Sequence, residues 1–166
     1  MRILGIDPGS FATGYGVVEE RAGRLRQLES GTIRPARKQP FLQRLSEISV
    51  ALTDIVRRHT PSEVAVENPF YHRNVRSLLQ LGQARAAALL PAVHAGVPVF
   101  EYAPREIKLA VTGYGNAEKE QVARMVSVLL GDSASPASLD AADALAVAIC
   151  HIHRARSLSR LQKPHA

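Results

Sequence analysis

The sequence predicts an α/β fold built on a five-stranded mixed sheet, three antiparallel strands followed by two parallel ones, flanked by helices. Three observations carry that prediction. Before Phe41 the chain alternates short apolar runs with tight-turn residues and shows no helical period. A helix-length segment then separates two further apolar runs, the arrangement of a parallel crossover. The remainder is helical in period, interrupted by glycines and one loose polar stretch.

Met1 to Ile6 reads as a buried strand, closed by the turn chemistry of Asp7-Pro8-Gly9-Ser10. Thr13-Gly-Tyr-Gly-Val-Val18 restarts an extended run. After the Arg21-Ala22-Gly23 turn, Leu25, Leu28, Thr32 and Ile33 mark a weaker third strand, completing an antiparallel meander. Phe41 to His59 has helical spacing through Leu45, Ile48, Leu52, Ile55 and Val56 and stops before Pro61. Glu63 to Glu67 is the fourth strand, Asn74 to Ala95 the crossover helix and Val97 to Tyr102 the fifth strand. Helices over Pro104 to Val111 and Ala117 to Leu130 are split by Gly113-Tyr-Gly115. Residues 131–137 lead to a last helix from about Leu139 to Arg156. Residues 1–158 are expected to form one domain, with 159–166 a disordered basic tail.

The crossover helix is unusual. From Leu78 to Leu90 its apolar and small residues run almost all the way round, where a surface helix keeps a polar face. It is therefore expected to be covered twice, by its own sheet and by a second copy of the chain in a two-fold homodimer. Burial inside a monomer is the alternative.

Composition narrows the function. The 166 residues suffice for one core and not for two large lobes. No apolar run approaches the roughly 18 residues of a membrane span, so no membrane role is expected. The first residues carry Arg2 and Asp7 without a small-residue cleavage site, so no secretory signal is expected. Cys150 is the single cysteine, which excludes an internal disulfide and suits a reducing cytoplasm. The formal charge of +6 suits a polyanionic partner, although a merely soluble basic protein fits it as well. At 5% aromatic residues, a broad stacking platform for single strands is not indicated.

Four acids stand out against this basic background. Asp7 and Glu67 each close a short apolar run, and Asp140 and Asp143 are spaced i, i+3 at the start of an apolar helix. Gathered at one sheet edge, they make sense if divalent cations neutralise them. Phosphodiester hydrolysis uses such a set: two ions about 4 Å apart activate a water and stabilise the leaving oxygen. Asp7 is the bridging candidate because a central strand fixes it. Each acid also has a plainer reading: Asp7 as a turn opener, Glu67 as a solvated strand end, Asp140 as a helix N-terminal charge. Asp143 resists one, since an unpaired charge among alanines is costly. His151 and His153 lie i, i+2 on a helix, point to different sides and read as structural or solvent-facing, not as zinc ligands.

Gly5-Ile-Asp-Pro-Gly-Ser10 with Thr13-Gly-Tyr-Gly16, then Ala65-Val-Glu67, Leu81-Gly-Gln-Ala-Arg85, Ala117-Glu-Lys119 and Asp140-Ala-Ala-Asp-Ala-Leu-Ala146 follow one another in a set order. Together they resemble the bacterial RuvC family of Holliday junction resolvases, from residue 1 to about 153. The resemblance implies a ribonuclease H-like fold and a homodimer that nicks two opposing strands of a four-way DNA junction symmetrically. It further implies two Mg2+ or Mn2+ ions per active site and 5′-phosphate ends, in the service of recombination and repair. Asp7, Glu67, Asp140 and Asp143 match the family's catalytic, metal-holding acids. Phe70, with Tyr71 beside it, matches an aromatic residue that stacks at the crossover, where unstacking costs a few kcal/mol. Lys108 and Lys119 match lysines that contact DNA near the cut. Arg73, Arg76 and Arg85 are candidates for backbone phosphates on charge alone. Pro69 and Tyr71 depart from the family pattern in a loop of the kind that carries recognition, which bears on cleavage preference more than on catalysis. The branch-migration proteins RuvA and RuvB are implied partners.

Three rivals remain. Gly5-Ile-Asp-Pro-Gly-Ser with Gly14-Tyr-Gly also resembles the first phosphate loop of actin-like ATPases and sugar kinases, which need a second lobe that this chain lacks room for. A junction-binding module without catalysis would not need all four acids. A same-fold nuclease for another branched or RNA substrate would differ in its oligomeric state.

Overall fold

The computed structural model describes residues 1–68, 74–131 and 136–161, with side chains to Leu158. Five strands form one sheet in the order β3-β2-β1-β4-β5: β1 (Arg2–Asp7), β2 (Thr13–Arg21), β3 (Arg24–Ile33), β4 (Glu63–Glu67) and β5 (Val99–Tyr102). β1 pairs antiparallel with β2 and parallel with β4, β2 pairs antiparallel with β3, and β4 pairs parallel with β5. The mixed five-stranded sheet expected from the sequence is the one observed. The tight turns at 8–12 and 22–23 explain the antiparallel half, since only neighbours in sequence can pair through connections so short.

Helices cover both faces. α1 (Phe41–His59) and α2 (Val75–His94) lie on one, and α3 (Pro104–Thr112), α4 (Lys119–Leu130) and α5 (Leu139–Leu161) on the other. The period-two alternation of the strands decides which residue meets which layer. In β1, Leu4 and Ile6 are buried against α1, whereas Ile3 is buried against the α5 layer. In β4, Val64 and Val66 face α1 and Ala65 faces α5. The flanking Asp7 and Glu67 therefore fall on the α5 side by the same alternation.

Glycine lets α5 come close. A Cβ on Gly5 would stand 2.0 Å from the Ala144 carbonyl oxygen, and one on Gly14 would stand 2.0 Å from that of Asp140. The helix answers with Ala141, Ala144, Ala146 and Ala148, all buried. Small residues on both partners thus seat the backbone of α5 directly on β1 and β2.

Three details differ from expectation. α2 packs on α1 through Ala88 and Ala92 and shares a core with the strand residues Val64 and Val66, so its cover within the chain is a helix as well as its own sheet. β5 begins at Val99, because Pro98 cannot donate to a ladder. α5 continues to Leu161, beyond the end expected near Arg156 and into the segment expected to be a disordered tail. No helix among the described residues is long and apolar enough to cross a membrane.

Candidate active site

Asp7 ends β1 and Glu67 ends β4, neighbouring parallel strands whose residues Ile6 and Val66 pair. Both carboxylates point to the α5 face, where Asp143 meets them from the first turns of that helix. A cavity of about 230 Å3 opens between them, bounded by Asp7, Glu67, Asp143, Lys108 and Lys119. Three acids widely separated in sequence are thus brought to one end of the sheet, together with the two lysines expected near them.

The charge balance of this cluster is strained. Asp7 and Glu67 share a side-chain hydrogen bond, which requires one of them to hold a proton. Burial, then the charges of Glu67 and Asp143, push the Asp7 carboxyl up from 3.8 to about 8. Burial and the Asp143 charge raise Glu67 as well. Lys119 offsets part of this by donating from Nζ to Asp143 Oδ2 at 3.1 Å, and that bond raises its own pKa. A pocket in which Asp7 holds a proton near neutral pH is short of positive charge, and its donors are hard oxygens suited to Mg2+ or Mn2+. As the side chains stand, no three acids, histidines or cysteines among the described residues are clustered closely enough to hold an ion by themselves.

Asp140 is placed differently from the other three. One helical turn before Asp143, it accepts from Arg34 Nη2 at 3.0 Å and does not line the cavity. Arg34 follows β3 and escaped the sequence reading, because a pairing across 106 residues leaves no local pattern. Arg85, a candidate for phosphate contact, is instead committed to Glu101 at 2.6 Å on β5. The same Glu101 accepts from Asn68 Nδ2 at 2.7 Å, at the start of the loop after β4. Arg76 is exposed in the first turn of α2. Phe70, Tyr71 and Arg73 lie outside the described residues. His151 is buried between the Tyr102 hydroxyl, at 2.7 Å, and Glu63 Oε2, at 2.6 Å. His153 Nδ1 lies 3.0 Å from the Ala110 carbonyl.

With this geometry in place, comparison with known proteins is informative. The family model described as "Crossover junction endodeoxyribonuclease RuvC" matches residues 3–151. A protein of that name from Chlorobaculum parvum is 50% identical over 159 residues, 96% of this chain and 85% of its own length. Another from Halorhodospira halophila is 52% identical over 153 residues, 92% of this chain and 90% of its own. Among solved structures, Thermus thermophilus RuvC in complex with a Holliday junction substrate superposes with a TM-score of 0.89 at 37% identity, covering 96% of this chain and 97% of that one. The yeast mitochondrial Holliday junction resolvase, at 11% identity and a TM-score of 0.66, shares the fold. The chain belongs to the RuvC family of crossover junction endodeoxyribonucleases.

Proposed function

We propose that the chain resolves four-way DNA junctions by metal-dependent phosphodiester hydrolysis, nicking two opposing strands symmetrically and leaving 5′-phosphate ends. The observation that carries this reading is the half-buried acid cluster of Asp7, Glu67 and Asp143, set in a protein whose net formal charge is +6. Half-buried carboxylates that repel one another are a cost to the fold unless cations enter. Family membership and the junction-bound Thermus relative support the substrate.

On this reading Asp7, Glu67, Asp140 and Asp143 would hold two Mg2+ or Mn2+ ions. Bound there, the ions supply an activated water and neutralise charge on the leaving oxygen. The chain's own groups do the rest. Strand pairing fixes where Asp7 and Glu67 leave the sheet. Asp143 and Asp140 already carry cationic partners, Lys119 and Arg34. Lys108 and Lys119, at the cavity rim, are placed to hold the phosphate beside the cut. Phe70, with Tyr71, is assigned to the crossover bases, and Arg73 and Arg76 to backbone phosphates.

Symmetric cutting needs two sites, and α2 offers the surface to pair them. Val75, Leu79, Gly82, Ala86, Leu90 and Val93 recur three or four apart and are all exposed. Small residues at the middle of that stripe permit close approach of a second α2 across a two-fold axis. RuvA and RuvB are the proposed partners in recombinational repair, and the cytoplasm is where the chromosome places that work.

The test is cleavage of a labelled synthetic four-way junction in Mg2+, in Mn2+ and in EDTA, beside linear duplex. Paired symmetric nicks that need metal and spare duplex are expected. Binding without cutting in either metal would contradict a nuclease, and equal cutting of duplex would contradict the junction as substrate.

A further inference from the structure

The turn between β1 and β2 follows directly on Asp7, and it carries an exposed aromatic ring. Phe11 is 53% exposed, four residues beyond Asp7, whereas Pro8 and Thr13 on either side are buried. The turn is held in place by several bonds. Thr13 Oγ1 donates to the Gly9 carbonyl at 3.2 Å, and Arg44 Nη1 donates to the Ser10 carbonyl at 3.1 Å.

Arg44 is the unusual member. It is only 6% exposed, it stands 4.8 Å from the Phe11 ring and 5.1 Å from the Phe41 ring, and it forms no ion pair with a carboxylate among the described residues. Its Nε is buried without a hydrogen-bond partner there. A buried guanidinium is normally matched by an acid. Here two rings and a carbonyl take that place, leaving a fixed positive charge beneath the turn. Arg37, exposed, lies 5.7 Å from the same ring, and Lys38 follows it on the surface. The segment is tied to the site itself, because Arg34 bonds Asp140 at 3.0 Å.

We infer that Phe11, backed by Arg44 and flanked by Arg37, is a second DNA-contact surface, on which a base next to the cleaved phosphate stacks while Arg37 takes the adjoining phosphate. This rests on the junction-cleaving function proposed above and extends it to the turn that follows Asp7. The chemistry fits an unpaired base and its phosphate. An exposed ring stacks any base, and a cation behind it strengthens the contact. Duplex DNA, with its bases already stacked, gains only the phosphate contact.

Three variants and three readouts test it, in Ca2+ so that binding is measured apart from cutting. Phe11→Leu keeps apolar bulk in the turn, Phe11→Tyr keeps the ring, and Arg37→Gln alters an exposed side chain that the core does not use. Single 2-aminopurine substitutions near the crossover report stacking by quenching. For Phe11→Leu we expect junction affinity to fall at least about fivefold, with quenching lost at one or two positions, duplex affinity unchanged and both properties restored in Phe11→Tyr. For Arg37→Gln the slope of log affinity against log salt should fall by about one. Phe11→Leu that binds and quenches like the parent, together with an unchanged slope in Arg37→Gln, would overturn the inference. Failure of the parent protein to prefer junction over duplex would instead overturn the proposed function, whatever the variants do.

Discussion

Asp7 sits where its own charge is disfavoured, and that makes its protonation a property of the whole fold. Its carboxyl is raised from 3.8 to about 8, so between those values the folded chain holds a proton that the unfolded chain has released. Stability of the metal-free protein should therefore fall as pH rises through that window, and the loss should be complete above about pH 8. Asp7→Asn removes the titration. Thermal melts in EDTA are expected to show the Asn variant at least about 4 °C more stable than the parent at pH 8.5 and equal to it near pH 3.5. Adding Mg2+ at pH 8.5 should raise the parent's melting temperature and leave the variant's unchanged. A parent protein whose stability in EDTA is flat across this range would show that the pocket is not short of positive charge. Asp7, Glu67 and Asp143 were all legible as residues of one site, because an acid closing an apolar strand or interrupting an alanine helix breaks the local pattern. The partners of Asp140 and Arg85 were not, since which way a long side chain turns depends on neighbours distant in sequence.

At the scale of elements, the site depends on how closely α5 lies on β1. Gly5→Ala places a Cβ against the Ala144 carbonyl, a backbone atom that cannot turn aside. The helix must lift, at a cost of about 3 kcal/mol, or roughly 6–12 °C in melting temperature, and Asp143 moves with it. Calorimetry should show that loss, and residual cutting should fall further than the fraction unfolded explains. A variant with parental stability would mean that α5 is not seated as described. Strand order and helix positions were legible in the sequence because turn residues and periodicity are local signals. The partner of α2 was not: a helix apolar nearly all round gives no direction, and the fold sets it against α1. Its remaining exposed stripe yields a separate prediction. Leu79→Glu should weaken self-association at least about thirtyfold by sedimentation, converting paired nicks to single ones. An unchanged sedimentation profile would place the dimer contact elsewhere.

For the molecule as a whole, three of the acids are set apart in one cavity of a chain whose net formal charge is +6. Affinity for DNA should then come from the exterior and chemistry from the cavity. Junction affinity is expected to fall about a thousandfold between roughly 50 and 200 mM salt, and filter binding in Ca2+ would measure it. A weak salt dependence would argue against phosphate contacts as the source of binding. The same sorting gives the most direct test of the central claim, that the acid cavity performs the cutting and the surface around it the binding. Asp7→Asn should bind a synthetic four-way junction within about threefold of the parent and cut it at less than about a thousandth of the parental rate in Mg2+. Near-parental cutting by that variant would contradict the account outright.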